Sequence, residues 1–559
     1  MDRFSALLKT NRAPTSAEMK ELTSRYQAPM AKLQQLDDKL LQLKFQIDEL
    51  NQERELLRGS IDQHCNLLSP FRCLPDDVLH EIFQWCLPTA HESLLDISEL
   101  PLLLGYVCRR WRTIAYQTPA LWASLHVAIP VPGGVRRRYS SSPESDKQFQ
   151  LDVAVHQDAI KKWISRSRQL PLSISLSRGN SHPISLSYLD LVLSFSARLH
   201  HLEVDLFPTT VSQKLASLPA SAFPNLRTLV VKFDRSRLQH KVPWKSSGLL
   251  NAPYLSGLRL FSFPLQIGAV NINWTRLTRL DLVSNRWQRT DFDDARKIFT
   301  SCPRLTHCSL TIHESRNIGD FEYAPLSLLH LHTLMIVDNS TGFGGLFKGA
   351  DIPALRHLTY HNTRRPAFDR PSALLGILSQ THMRLERLTT DVQFITYPDL
   401  LGCLELLPHL TYLSNIRSPG SLSAEQAAHM NLCPMAPKVM SVVLEILTPC
   451  AGHPLYLPAL QHLHVNLDFL RMEVSDQILL DFIERRMEFG PPVAPLAEVR
   501  LISEHAMQID ISIPLSRYIA DGLKLHLEYG TNLSTGNFSG STSPMHYFFP
   551  MHGIERFTV

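Results

Sequence analysis

At 559 residues the chain is too long for one ordinary compact core, so several domains, or a repeat array with small modules, are expected. Hydrophobic residues make up 44% and charged residues 19%, a balance that excludes a disordered polymer. The net charge of +4 excludes a strong global field for nucleic acid or anionic membrane, and no apolar run approaches the roughly 18 residues of a membrane span.

Residues 1–30 are polar and interrupted by Pro14 and Pro29, and are expected to form a mobile terminus without the apolar stretch of a signal peptide. Nine scattered cysteines without a Cys-x-x-Cys pair suit a reducing compartment, so a cytoplasmic or nuclear location is expected. Over 31–68 the apolar positions Leu33, Leu36, Leu40, Leu43, Ile47, Leu50, Leu57 and Ile61 fall at alternating steps of three and four, with Arg54 as the polar interruption. That period predicts a coiled-coil helix, either pairing two chains as a homodimer or folding back on its own domain.

The next stretch, FRCLPDDVLHEIFQWCL, opens a short helix. Pro75 fits a first helical turn, Asp76 and Asp77 complement the positive helix end, and Pro88 stops the run. Leu74, Val78, Leu79, Ile82 and Phe83 make one apolar stripe at helical spacing. A second apolar run ends at Val107, and a third holds Cys108, Trp111 and Ile114 before Thr118-Pro119 and Leu121-Trp122. In combination, Leu-Pro-x-x-Val-Leu-x-x-Ile-Phe, Val-Cys-Arg-Arg-Trp-Arg-x-Ile-Ala and Thr-Pro-x-Leu-Trp resemble a three-helix F-box over 69–127. The likeness is to F-box proteins of the fungal type. It implies docking on a Skp-type adaptor, which bridges to a cullin. The adaptor-binding residues it implies are Leu74, Pro75, Val78, Leu79, Ile82, Phe83, Val107, Cys108, Trp111, Ile114, Leu121 and Trp122. The insert CLPTAHESLLDISEL departs from the family pattern.

A Pro/Gly/Ser-rich linker, 128–149, contains the basic run Arg136-Arg137-Arg138, read as a solvated loop. Over 150–528 a unit Leu-x-x-Leu-x-Leu recurs. It starts at Leu199, Leu226, Leu255, Leu277, Leu305, Leu331 and Leu355, with weaker copies at Leu385, Leu410, Val439, Leu460 and Leu496. Most copies lie roughly 21 to 30 residues apart, the period of leucine-rich repeats. Pro224, Pro253, Pro303, Pro353, Pro408, Pro437 and Pro458 each stand two residues ahead of the first position of a copy, an excess that a repeat explains. Stretches such as DDARKIFTS, PSALLGILSQ and YPDLLGCLELL read as the intervening helices. Of the asparagines usual eight residues after the first leucine, Asn285 and Asn339 remain, so the repeats are divergent. The fold class expected is α/β: a coiled-coil helix, the F-box, then a leucine-rich-repeat-like solenoid. A tail, 529–559, is turn-rich and then aromatic in MHYFFPMHGIERF, which is read as packing back.

No zinc-hydrolase helix, phosphate loop or nucleophile elbow is present in the sequence, and no catalytic residue, metal or cofactor is expected. His201, His307, His357 and His462 share one repeat position, which strand alternation aims away from the core toward the concave face of the array. Arg259, Arg279, Arg387 and Tyr412 on that face are the expected target-binding anchors, because arginine and tyrosine are favoured at interfaces. The resulting reading is a substrate-receptor subunit of an SCF-type ubiquitin ligase with a protein target, the alternative being an interaction scaffold outside any ligase.

Overall fold

The computed structural model describes residues 13–67, 70–89, 91–129, 143–177, 186–206, 209–233, 244–263, 267, 270–283, 290–313, 325–339, 346–362, 372–380, 384–392, 395–415, 439–466, 474–503 and 508–529. The chain forms two units, Met1–Ile82 and Phe83–Val559.

In the first unit, a capping box starts helix α1 (Ser16–Leu67). The Thr15 N–H donates to Glu18 Oε2 at 2.8 Å, and the Glu18 N–H donates to Thr15 Oγ1 at 3.4 Å. The helix therefore begins well ahead of the heptad segment and runs through Pro29, across residues expected to be a mobile terminus. An internal proline removes one backbone hydrogen bond and strains the turn before it, but does not forbid a helix that gains elsewhere. The heptad side chains from Leu33 to Ile61 are all exposed. A four-residue helix α2 (Pro70–Cys73) and helix α3 (Asp76–Trp85) follow.

The second unit is organised by a single all-parallel sheet whose strand order is the order of the sequence. Its strands are β1 (Ser124–Ala128), β2 (Leu172–Ser177), β3 (Leu199–Leu206), β4 (Thr228–Phe233), β5 (Gly257–Phe261), β6 (Arg279–Val283) and β7 (His307–His313). They continue as β8 (Thr333–Asn339), β9 (His357–Asn362), β10 (Arg387–Thr390), β11 (Tyr412–Asn415), β12 (His462–Asn466), β13 (Glu498–Ser503) and β14 (Lys524–Tyr529). Sequential parallel strands are what stacked repeats produce, because each unit pairs only with its neighbours. The array is thus solenoid-like.

The repeat leucines explain the register. Leu229, Leu258, Leu280, Cys308 and Leu334 pair in one continuous row, and all are buried. Burial of each such side chain is worth about 2 kcal/mol. The prolines before them act through turns. Leu255 N–H donates to Ala252, Leu305 to Cys302, Leu355 to Ile352, Leu410 to Leu407 and Leu460 to Leu457. Each proline occupies the second position of a four-residue turn, where its fixed φ is already suitable. The turn then delivers two successive N–H groups to one carbonyl of the preceding repeat. Thr306 and His307 both donate to Thr278 O, and His332 and Thr333 both donate to Thr306 O.

DDARKIFTS, PSALLGILSQ and YPDLLGCLELL fall in helices Phe292–Ser301, Ala373–Gln380 and Tyr397–Glu405. The copy expected at Val439 is instead helix Val439–Leu447, because its run of apolar residues lacks the strand's polar alternation. The sheet extends beyond the expected array at its N-terminal side, since Ser124–Ala128 within the F-box-like stretch is its first strand. Asn339 is half-buried, with Nδ2 3.4 Å from His313 Nδ1. Asn285, Pro437, the Arg136–Arg138 run and the tail from 530 onward lie outside the described residues.

Candidate protein-docking surfaces

Helix α3 carries the stripe on which the resemblance rests, and 3.6-residue periodicity divides that stripe between two faces. Leu79 is 0% and Phe83 1% exposed, so these two point inward. Val78 is 41% and Trp85 80% exposed, with half-buried Ile82 between them at four- and three-residue steps. Ahead of the helix, Leu74 is half-buried and Pro75 exposed, and the Pro75 carbonyl accepts from the Leu79 N–H at 3.1 Å.

Within the second unit, α4 (Leu104–Val107) and α5 (Arg109–Gln117) meet at Cys108, whose Sγ accepts from the Trp111 N–H at 3.4 Å and caps α5. Arg112 Nε donates to Gly105 O at 2.7 Å and ties the two helices together. Ile114, Leu121 and Trp122 are buried. Trp122 donates from Nε1 to Ala115 O at 2.8 Å and stacks edge-on to Trp163 at 4.9 Å. The Phe83 and Trp111 rings pack at 4.9 Å. Val107, Cys108, Tyr106 and Leu103 are exposed, and Trp111 is half-buried.

Of the residues singled out from the sequence, Pro75, Val78, Val107 and Cys108 are therefore open to a partner. Leu74, Ile82 and Trp111 are half-open. Leu79 is buried, and in the second unit Phe83, Ile114, Leu121 and Trp122 are buried. Trp85, Tyr106 and Leu103 went unmarked in the sequence. Trp85 could have been found, because it stands seven residues after Val78 and so lies on the same helical face.

The second candidate surface is the sheet face opposite the leucine rows. Register sets Arg279, His307, Thr333, His357, Arg387, Tyr412, His462 and Glu498 side by side across β6 to β13. One row further along the strands, Arg259 faces Asp281, with Nε and Nη2 each 2.7 Å from Oδ2. That pairing neutralises Arg259 locally. Arg387 lies with its guanidinium 4.1 Å above the Tyr412 ring. Tyr412 is itself buried, and its hydroxyl is 2.9 Å from His464 Nδ1. Glu498 in turn contacts His464 Nε2 at 3.2 Å and His462 Nδ1 at 3.5 Å. Arg387 is exposed and Arg279 half-buried, so the four expected anchors are unequal: one exposed arginine, one half-buried arginine, one arginine paired with Asp281 and one covered tyrosine.

Electrostatics tune this row. Burial foremost, then the Arg279 guanidinium, push the His307 imidazole down to about 4, against the opposing pull of Asp281. Burial and Arg387 likewise lower His357. Burial raises Glu498, but His464 and His462 outweigh it and hold the carboxyl below its usual range. The buried Cys302 thiol is pushed up to about 12, which disfavours a nucleophilic thiolate there. Among the described residues, no group of three or more His, Cys, Asp or Glu is arranged to hold a metal ion. No described helix is long and apolar enough to cross a membrane.

Comparison with protein families matches the F-box-like family over residues 71–128, from α2 to the end of β1. A search of curated proteins gives no match to the chain. The chain thus carries an F-box-like domain, a protein-interaction adaptor domain of the kind that generally binds Skp-type adaptors, joined to a parallel solenoid-like sheet.

Proposed function

We propose that the chain is the substrate-receptor subunit of an SCF-type cullin ubiquitin ligase. The observation that carries this reading is the match over 71–128 coinciding with an exposed apolar face, Val78 and Trp85, on a helix whose other face is buried. Isolated exposed apolar residues are ordinary, but a tryptophan 80% exposed on the same face as Val78 needs a partner. In this reading the F-box-like domain docks on a Skp-type adaptor, which bridges to a cullin, and the sheet face with Arg279 and Arg387 holds the target protein. The chain performs no bond chemistry. Tethering raises the effective concentration of target lysines near the ubiquitin-loaded enzyme. The heptad helix α1 is read as the element that pairs two copies.

Co-purification of the full chain with a Skp-type adaptor tests the reading. Val78→Asp places a charge in the docking face and should remove the adaptor from the eluate, while the unfolding transition of the repeats stays in place. Adaptor retained at the wild-type level by Val78→Asp would remove the basis of the proposal.

A further inference from the structure

Helix α1 rises about 78 Å at 1.5 Å per residue, and its apolar seam is uncovered by the described residues from Tyr26 to Ile61. The seam is longer than the heptads that begin at Leu33. Stepping back by four and three from Leu33 gives Pro29 and Tyr26, then Leu22 and Met19, so the beat persists to the first turn. Met19 and Tyr26 are exposed, Leu22 is half-buried, and the seam leucines from Leu33 onward are exposed. A solvated helix with such a stripe lowers its free energy by burying it.

The flanking charges say what covers it. Put Leu33 at position a and Leu36 at position d of the heptad; the flanking g and e positions then hold Lys32, Asp37, Lys39, Lys44, Glu53 and Arg58. In a parallel, in-register pair each g side chain meets the e side chain five residues on in the other helix. Lys32 then meets Asp37 of the second copy, and Glu53 meets Arg58 of the second copy. Each contact occurs twice by symmetry, and only Lys39 against Lys44 opposes them. Leucine holds the d positions at Leu36, Leu43, Leu50 and Leu57, as two-stranded coils favour. Arg54 is a single charged residue at position a, where in a parallel pair its long stem reaches the water-facing edge beside Glu53 of the second copy. A polar residue at one a position fixes register and strand number at some cost in stability. Turned antiparallel, with Leu40 over Leu50, the pair would instead set Arg54 on the apolar Leu36 and Lys44 against its own copy.

We infer that α1 binds a second copy of this chain as a parallel, in-register two-stranded coiled coil from Met19 to Ile61. This rests on reading α1 as a pairing element and adds its partner, extent and orientation. Both copies of the chain then leave the coil at the same end.

The test uses full-length protein in dilution series by mass photometry or sedimentation velocity, with a wild-type species at twice the 63.5 kDa chain mass expected. Leu40→Glu should weaken association roughly a hundredfold, since it buries a charge in each helix. It should leave adaptor capture intact, which separates this proposal from the adaptor reading. Lys39→Glu decides orientation: beside Lys44 of a parallel copy it turns repulsion into attraction and should tighten association roughly threefold or more. In the antiparallel alignment Lys39 faces Glu53, and the same substitution weakens it. A monomeric wild type at micromolar concentration overturns the pairing. A dimer that Lys39→Glu loosens or leaves unchanged overturns the parallel register.

Discussion

Arg486 lies buried in helix Asp476–Glu488, where backbone carbonyls rather than a carboxylate meet its guanidinium. Its guanidinium donates to the carbonyls of Leu447, at 3.2 Å, and Leu457, at 2.9 Å, so it closes the end of one repeat and the turn that opens the next. Burial pushes it down to about 10, and it remains a cation at neutral pH. Arg486→Met leaves the Leu447 carbonyl unsatisfied, a loss of about 1–3 kcal/mol, and reduces Leu457 O to its turn bond from the Leu460 N–H, partly offset by removal of a desolvated charge. A net destabilisation of about 1–3 kcal/mol is expected from urea unfolding, and an unshifted midpoint would show that the contact is dispensable. His307 gives a pH-dependent counterpart. Its folded value, about 4, lies below the ordinary 6.5, so below about 6.5 the unfolded chain takes up a proton that the native chain resists. The neutral imidazole's contribution is complete above about 6.5 and is lost progressively as pH falls toward 4. The urea midpoint should drop between pH 7.5 and 5.0, and drop less in His307→Gln. An equal drop in the variant would assign the effect to His156, His200 and His357, which burial shifts in the same direction. The outward direction of His307 and His357 was legible from strand alternation. Their neutrality was not, because it depends on Arg279 one repeat away and on how deep the row sits. The Arg259–Asp281 pair was nearer to being readable: both residues occupy the same step of adjacent repeats, and aligning the repeats places them opposite each other.

At the scale of elements, α3 and the segment around Trp122 predict opposite phenotypes from residues of the same motif. Val78 and Trp85 face outward, so Val78→Asp with Trp85→Ala should abolish adaptor capture while the thermal midpoint stays within a degree or two. Trp122 holds Ala115 and stacks on Trp163, so Trp122→Ala should cost about 3–5 kcal/mol and lose capture only through unfolding. Calorimetry beside the pull-down separates the two, and equal stability losses in both variants would mean that the docking face is core. The sequence marked Val78 and Leu79 alike, because both are apolar at helical spacing, and it passed over Trp85. It could not divide Val78 from Leu79, since which side of a broad apolar arc is covered depends on neighbours remote in the chain. Pro29 concealed the start of α1 for a related reason. A proline is locally a breaker, and only the continuing heptad positions Met19, Leu22 and Tyr26, with the Thr15–Glu18 box, override it. The prolines before the repeats were the clearest signal, because a turn that must place Leu305 or Leu355 in register restricts the backbone at one fixed step.

In the second unit as a whole, stability is built from neighbour to neighbour, and its two ends differ. At β1 the sheet is covered: Leu125 and Val127 are buried, Leu94 forms a β-bridge with His126, whose N–H donates to Ser93 O, and Trp122 stacks on Trp163 of helix Pro143–Arg166. At β14 the same inward positions, Leu525 and Leu527, are only half-buried, whereas Val499 and Leu501 one strand earlier are buried. In a linear array each interface contributes locally, so opening proceeds from the less covered end rather than through the whole unit at once. Amide hydrogen exchange should therefore be fastest in β14, slower in β13, and slowest in β7 and β8, whose leucine rows are covered on both sides. Leu527→Ala should cost about 1 kcal/mol, against about 2–5 kcal/mol for Leu334→Ala in the middle of the sheet. Uniform protection from β1 to β14, lost in one cooperative step, would mean that the strands share one indivisible core and that nearest-neighbour stacking does not describe them.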